Sequence, residues 1–166
     1  MRVATLIAAA CFSALMLPIA QAATAVNCTA SAGGIAFGVY NPLSAVANAS
    51  TGTLQVTCNG SGNGNGNGKT KVTLNVTLSR GLSGTYATRK MFSGVNTLNY
   101  NIFWSTAYSE IIGDGSDGSV AGSVGPFRVG AGGSNVVTET FYGLIPASQD
   151  VAPGSYSDVI TVTVTY

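Results

Sequence analysis

Between Lys71 and Ser79 every odd-numbered residue is polar, while Val72, Leu74, Val76 and Leu78 fill the even positions. A period of two puts all the apolar side chains on one face, which only a half-buried β-strand can use. Thr53–Cys58 repeats the pattern with Leu54, Val56 and Cys58 on one side, and Leu98, Tyr100, Ile102 and Trp104 form a third alternating face. Phe103 breaks that last alternation, so this strand is expected to be covered on both faces. Phe127–Val129 and Val136–Ile145 read as two further strands around a turn at Gly130–Asn135. Tyr156–Tyr166 reads as the last strand. Tyr156, Ile160, Val162, Val164 and Tyr166 share one face, interrupted by Asp158, and Thr161, Thr163 and Thr165 lie on the other. The connections have turn chemistry: Asn59–Gly68 is a Gly/Asn repeat with nothing to pack, and Gly113–Gly125 is dense in Gly, Asp and Ser. No stretch after residue 22 has a capped 3.6-residue period. The fold class is therefore all-β, an antiparallel β-sandwich of short strands, although the pattern alone does not separate a sandwich from a closed barrel.

The first residues point to export. Met1-Arg2 is a short positive start, Val3–Leu17 is an uncharged apolar run, Pro18 breaks it, and Ala20-Gln21-Ala22 has the small-x-small form that a signal peptidase reads. The run is too short to span a bilayer as a stop-transfer helix. Residues 1–22 are thus expected to be a signal peptide and residues 23–166 a single domain. A lipoprotein signal would use Cys11, but Ala8-Ala9-Ala10 lack the leucine such a site carries. Loss of Arg2 leaves six basic and six acidic side chains, a neutral chain with no electrostatic footprint for nucleic acid or an anionic membrane.

Cleavage also leaves two cysteines, Cys28 and Cys58, and in an exported chain an even pair reads as a disulfide. A metal or thiol reading lacks partners, because the chain has no histidine. The absence of histidine removes the commonest general base as well. The six acids Glu110, Asp114, Asp117, Glu139, Asp150 and Asp158 fall into no catalytic spacing, and no G-x-S-x-G elbow or P-loop is present. The expectation is a non-enzyme with no cofactor and no metal. Gly113–Gly118 faintly resembles a calcium loop, yet it lacks a bidentate Glu and reads more simply as an Asx turn. Tyr86, Tyr100, Trp104, Tyr108 and Tyr142 could line a sugar site, but alternation already accounts for Tyr100 and Trp104 as sheet-face residues.

Several segments in order carry a family resemblance: Cys28, then Ile35-Ala36-Phe37-Gly38-Val39-Tyr40-Asn41-Pro42-Leu43, the Thr53–Cys58 strand, Leu98-Asn99-Tyr100-Asn101-Ile102, and Gly113-Asp114-Gly115. Gly143-Leu144-Ile145-Pro146-Ala147 with Gln149, Pro153–Asp158 and the closing Thr-Val repeat complete it. Together they resemble the spore coat protein U domain, a family that includes subunits of archaic, Csu-type chaperone–usher pili. The resemblance implies an immunoglobulin-like sandwich lacking its last strand, with an open apolar groove beside the C-terminal strand. Ile160, Val162, Val164 and Tyr166 would line that groove. A periplasmic chaperone, and then a neighbouring pilin subunit at the outer-membrane usher, would each fill it by adding a strand. The implied function is a structural subunit of a surface pilus (fimbrium) or coat that supports adhesion and biofilm formation.

Only Ala23–Asn27 lies between the expected cleavage and Cys28, whereas a donor strand needs about ten residues at about 3.3 Å each. The sequence therefore favours a tip-like or accessory subunit over a repeating shaft. The alternative reading is a self-contained secreted adhesin or carbohydrate-binding module, in which the last strand simply closes the sheet.

Overall fold

The structure, a computed structural model, describes residues 24–62 and 69–166. The expected signal peptide and the heart of the Gly/Asn repeat lie outside these residues. Eight strands are present among them: β1 (Val26–Gly33), β2 (Asn48–Gly60), β3 (Lys69–Leu78), β4 (Arg89–Ser93), β5 (Asn96–Phe103), β6 (Gly122–Gly130), β7 (Ser134–Ile145) and β8 (Val162–Thr165). The one helical element among the described residues is a 3-10 turn at Gly81–Ser83, and no helix there is long and apolar enough to cross a membrane.

The strands form two antiparallel sheets. The larger has the order β1-β2-β7-β5-β4 and the smaller β6-β3-β8. The long β2–β7 pair, from Asn48 opposite Ile145 to Asn59 opposite Ser134, is the spine of the large sheet. Alternation selects the inner faces as the sequence requires. Leu54, Val56 and Cys58 from β2 meet Val72, Leu74, Val76 and Leu78 from β3, with Leu98, Tyr100, Ile102, Phe141 and Ile145 completing the core. Each fully buried Val or Leu contributes about 1.5–3 kcal/mol of transfer free energy. Outward positions on the same strands are mostly hydroxyl or amide side chains: Thr53 and Gln55 on β2, Thr73 and Asn75 on β3, Thr163 and Thr165 on β8. Phe103 is buried on the second face of β5, edge-on to Tyr108 at 5.4 Å, so that strand is covered on both sides as expected.

Several boundaries differ from the sequence reading. β6 begins at Gly122, inside the segment read as a turn. Its glycines fit there because Gly122 lies flat under the Trp104 ring, where a Cβ would meet ring carbon at 1.9 Å. Opposite β3, the β6 register shifts at Gly125-Pro126, a bulge that an edge strand tolerates because the proline has no N–H to pair. β2 runs on through Asn59 and Gly60, β7 starts before Val136, and β1 and β4 were not anticipated.

The last strand is shorter than the Tyr156–Tyr166 expected. Ser157 makes an isolated bridge to Phe92 on β4, and only Val162–Thr165 pairs with β3. The interruption is at Asp158, whose Oδ1 accepts from Leu82 N (2.9 Å) and Val159 N (2.8 Å). That turns the chain from the edge of the large sheet to the edge of the small one.

Candidate functional site

A five-stranded sheet facing a three-stranded one leaves part of its inner face without a covering strand. Residues 34–42 and 151–161 flank that gap as two irregular rims. Between them lie two adjoining cavities of about 540 and 420 Å³ that share Ile35, Phe37, Met91 and Tyr156. Their floor is the buried inner face of the large sheet, including Leu98, Tyr100, Ile102, Phe141 and Ile145. The result is one continuous apolar groove. It runs past Ala32 and Gly33 of β1 and Val162 of β8, edge strands of the two sheets, and among the described residues no strand pairs with the outer side of either. The fold is thus an antiparallel β-sandwich left open on one side.

The segments that carried the family resemblance are those that hold the rims. Ile35 and Phe37 lie flat over Gly52 and Gly143, where added Cβ atoms would come within 2.7 Å of Ile35 Cγ1 and 2.6 Å of Phe37 Cζ. The Tyr40 hydroxyl donates to Pro146 O (2.9 Å) and accepts from Gln149 N (2.8 Å), which ties the first rim to the segment that follows β7. Gln149 pairs with β5 as a strand residue would: Oε1 accepts from Asn99 N and Nε2 donates to Asn99 O, both at 2.9 Å. Tyr156 donates to Ala152 O at 2.7 Å. Asp158 anchors the far end, where Oδ2 accepts from the Tyr100 hydroxyl at 2.7 Å. Burial, and then that bond to the Asp158 carboxylate, push the Tyr100 phenol well above its ordinary pKa, so it stays a donor.

The residues singled out for the groove fall as follows. Ile160 and Val162 line it directly. Val164 is half-buried against the core one step further along β8. Tyr166 lies just beyond β8, and its hydroxyl oxygen accepts from Cys28 N at 3.1 Å. Cys28 and Cys58 form the expected disulfide across β1 and β2, with their Cα atoms 4.0 Å apart.

Sequence reasoning missed one buried charged residue. Arg89 on β4 is completely buried and has no ion pair among the described residues. Its Nε and Nη2 donate to Ser79 O (3.2 and 2.9 Å), Nη2 also to Ile112 O (2.6 Å), and Nη1 to Asn101 Oδ1 (2.8 Å). Its guanidinium sits 5.1 Å from the centre of the Tyr86 ring. Burial lowers its pKa, yet arginine keeps its proton. The only hint in the sequence was a charged residue opening a short apolar stretch, which is also how a surface strand begins.

The aromatic set does not converge on a sugar platform. Tyr86 and Tyr100 are core residues, Trp104 packs edge-on against Phe141, and Tyr108 packs against Phe103. The acidic loop is an Asx turn: Asp114 Oδ1 accepts from Ser116 Oγ and Ser116 N, bonds that hold its carboxyl below the usual carboxylate range. Asp117 turns away to pair with Arg80 at 2.8 Å. Among the described residues, no group of three or more His, Cys, Asp or Glu could hold a metal ion.

An open β-sandwich with an apolar groove between two free edges is the architecture of a subunit that can be completed by a foreign strand. The chain belongs to the Spore Coat Protein U domain family, whose model matches residues 14–163. Its fold is similar to a chain in the crystal structure of the CsuC–CsuE chaperone–tip adhesion subunit pre-assembly complex, from archaic chaperone–usher Csu pili of Acinetobacter baumannii. The TM-score is 0.54 at 21% identity, over 86% of this chain and 40% of that one. This chain therefore spans less than half the length of that neighbour. No curated protein matches the sequence.

Proposed function

We propose that this protein is an exported structural subunit of a chaperone–usher surface pilus, assembled by donor-strand complementation and contributing to adhesion. The observation that carries the reading is the apolar groove between β1 and β8, whose floor is core and whose edge strands have no further strand paired to them among the described residues. A periplasmic chaperone lends a strand to the groove during export. At the outer-membrane usher a neighbouring subunit's strand replaces it. Ile160, Val162, Val164 and Tyr166 meet the incoming strand on the β8 side, and Ala30, Ala32 and Ile35 meet it on the β1 side. Left empty, such an edge pairs with other chains and aggregates. The role is one of assembly rather than catalysis, and no part of it uses a cofactor. The family and the solved neighbour both favour this reading over a self-contained carbohydrate-binding module.

The test is periplasmic expression of the full chain alone and with an archaic-type pilus chaperone, each followed by size exclusion. The expected result is poor yield alone and rescue as a one-to-one complex. A stable, monodisperse chain with no help from the chaperone would refute the open groove and leave the binding-module reading.

A further inference from the structure

The contact between Tyr166 and Cys28 crosses the slot at one end of the groove, and its geometry matches that of a missing strand. On β1, the residues whose N–H and C=O point away from β2 alternate with those bonded to it. Ser61 N bonds Ala25 O, which extends the β1–β2 ladder and assigns odd residues to the paired side. Even residues therefore face the open side, and the Cys28 N–H, which donates to Tyr166, is one of them. The N–H groups of Ala30 and Ala32 continue the same row.

A tyrosine side chain reaches about 6.5 Å from its Cα. With a further 3.1 Å to Cys28 N, the two edges stand at most about 10 Å apart at this end, twice the strand spacing of about 4.8 Å, so the slot takes no more than one strand. The ring occupies the width that a backbone would fill, and the hydroxyl takes the N–H that a donor carbonyl would take.

We infer that Tyr166 is a latch across the slot between β1 and β8, which an incoming strand must displace to pair with Cys28. The latch is weak by construction. It is one hydrogen bond from a side chain 58% exposed, set beside a disulfide that ties Cys28 on β1 to Cys58 on β2. It satisfies an edge donor in the empty protein and opens without disturbing the core. Because only the open state accepts a strand at this end, the latch lowers apparent affinity by the fraction of molecules in which it is closed. The inference rests on the strand-accepting role of the groove.

The test uses Tyr166→Phe in the full chain, refolded at low concentration. It keeps the ring and removes only the hydroxyl. The Cys28 amide should exchange with solvent about fivefold faster than in the parent, as expected for the loss of one net hydrogen bond. The Thr29 amide, on the paired side of β1, should be unchanged. In parallel, a ten-residue peptide of four alternating Ile-Thr pairs with a Lys at each end serves as donor strand. It should bind the variant about fivefold more tightly than the parent. Unchanged exchange at Cys28, or faster exchange with unchanged peptide affinity, overturns the latch. Peptide binding to neither protein overturns the strand-accepting role, while the exchange ratio still decides whether the hydroxyl holds the Cys28 amide.

Discussion

Replacing Arg89 by Met should be among the most damaging single changes in the chain, although it exchanges a buried charge for an apolar side chain. The guanidinium is the partner of the buried Ile112 carbonyl and the part-buried Ser79 carbonyl, and one of the partners of Asn101 Oδ1. Asn101 Oδ1 would keep Ile102 N at 3.1 Å, but the two carbonyls would be left unsatisfied. Each costs about 1–3 kcal/mol when orphaned. Loss of the contact with the Tyr86 ring adds about 1 kcal/mol. Relief of the arginine's own desolvation offsets part of this, and the expected net loss is about 3 kcal/mol. Set against a domain stability of about 5–15 kcal/mol, that is a large share. Urea unfolding followed by Trp104 fluorescence would read it as a midpoint about 1–2 M lower, at a slope of about 2 kcal/mol per M. Arg89→Lys, which retains three donors, should fall between the two. A Met variant within 0.5 M of the parent would show that the carbonyls find other partners, and the reasoning would fail.

Replacing Cys28 and Cys58 together with Ala should cost about 3.5 kcal/mol from the 30-residue separation they close, read as a lower urea midpoint for the variant relative to the oxidised parent. Val162→Lys places a charge in the groove wall and should reduce recovery of the chaperone complex more than tenfold, while the variant's β-sheet circular dichroism stays intact. Gly122→Ala drives a Cβ into the Trp104 ring and should destabilise the sandwich by about 2–3 kcal/mol in the same unfolding assay. The raised pKa of Tyr100 means that the folded state keeps a proton which the unfolded chain loses above about pH 10. Stability from this group is complete below pH 10 and falls as pH rises beyond it. Tyr100→Phe should flatten that alkaline limb in a pH series of urea midpoints.

The strands with alternating large residues were legible because period two and burial coincide: β3, most of β2, β5 and β7 sit where Val72–Leu78, Leu54–Cys58, Leu98–Trp104 and Val136–Ile145 place them. β1 was not legible from its pattern. Beyond Cys28 its groove-side residues are Ala30 and Ala32, too small to register as an apolar stripe, and they are small where the open slot begins. β4 was hidden by Arg89, a buried residue with a surface residue's chemistry. The C-terminal segment was over-extended because Ile160, Val162 and Val164 continue the face of Tyr156. Nothing in that periodicity reveals that Asp158 would bond two backbone amides and turn the chain. The groove could be expected through the family resemblance alone, since a missing strand leaves no residues to read.

The threonine- and asparagine-rich outer faces of β2, β3 and β8, in a chain with seven basic residues, six acidic residues and no histidine, give a surface whose charge hardly changes between about pH 5 and 9. Neighbouring copies held side by side would neither repel one another in dilute medium nor loosen in brine. Cohesion between them would depend on the fit of backbone edges and apolar grooves, which salt screens very little. A material built from such units would keep its strength through the swings of acidity and salinity met outside a cell. The matching cost is that no environmental signal could dissolve it.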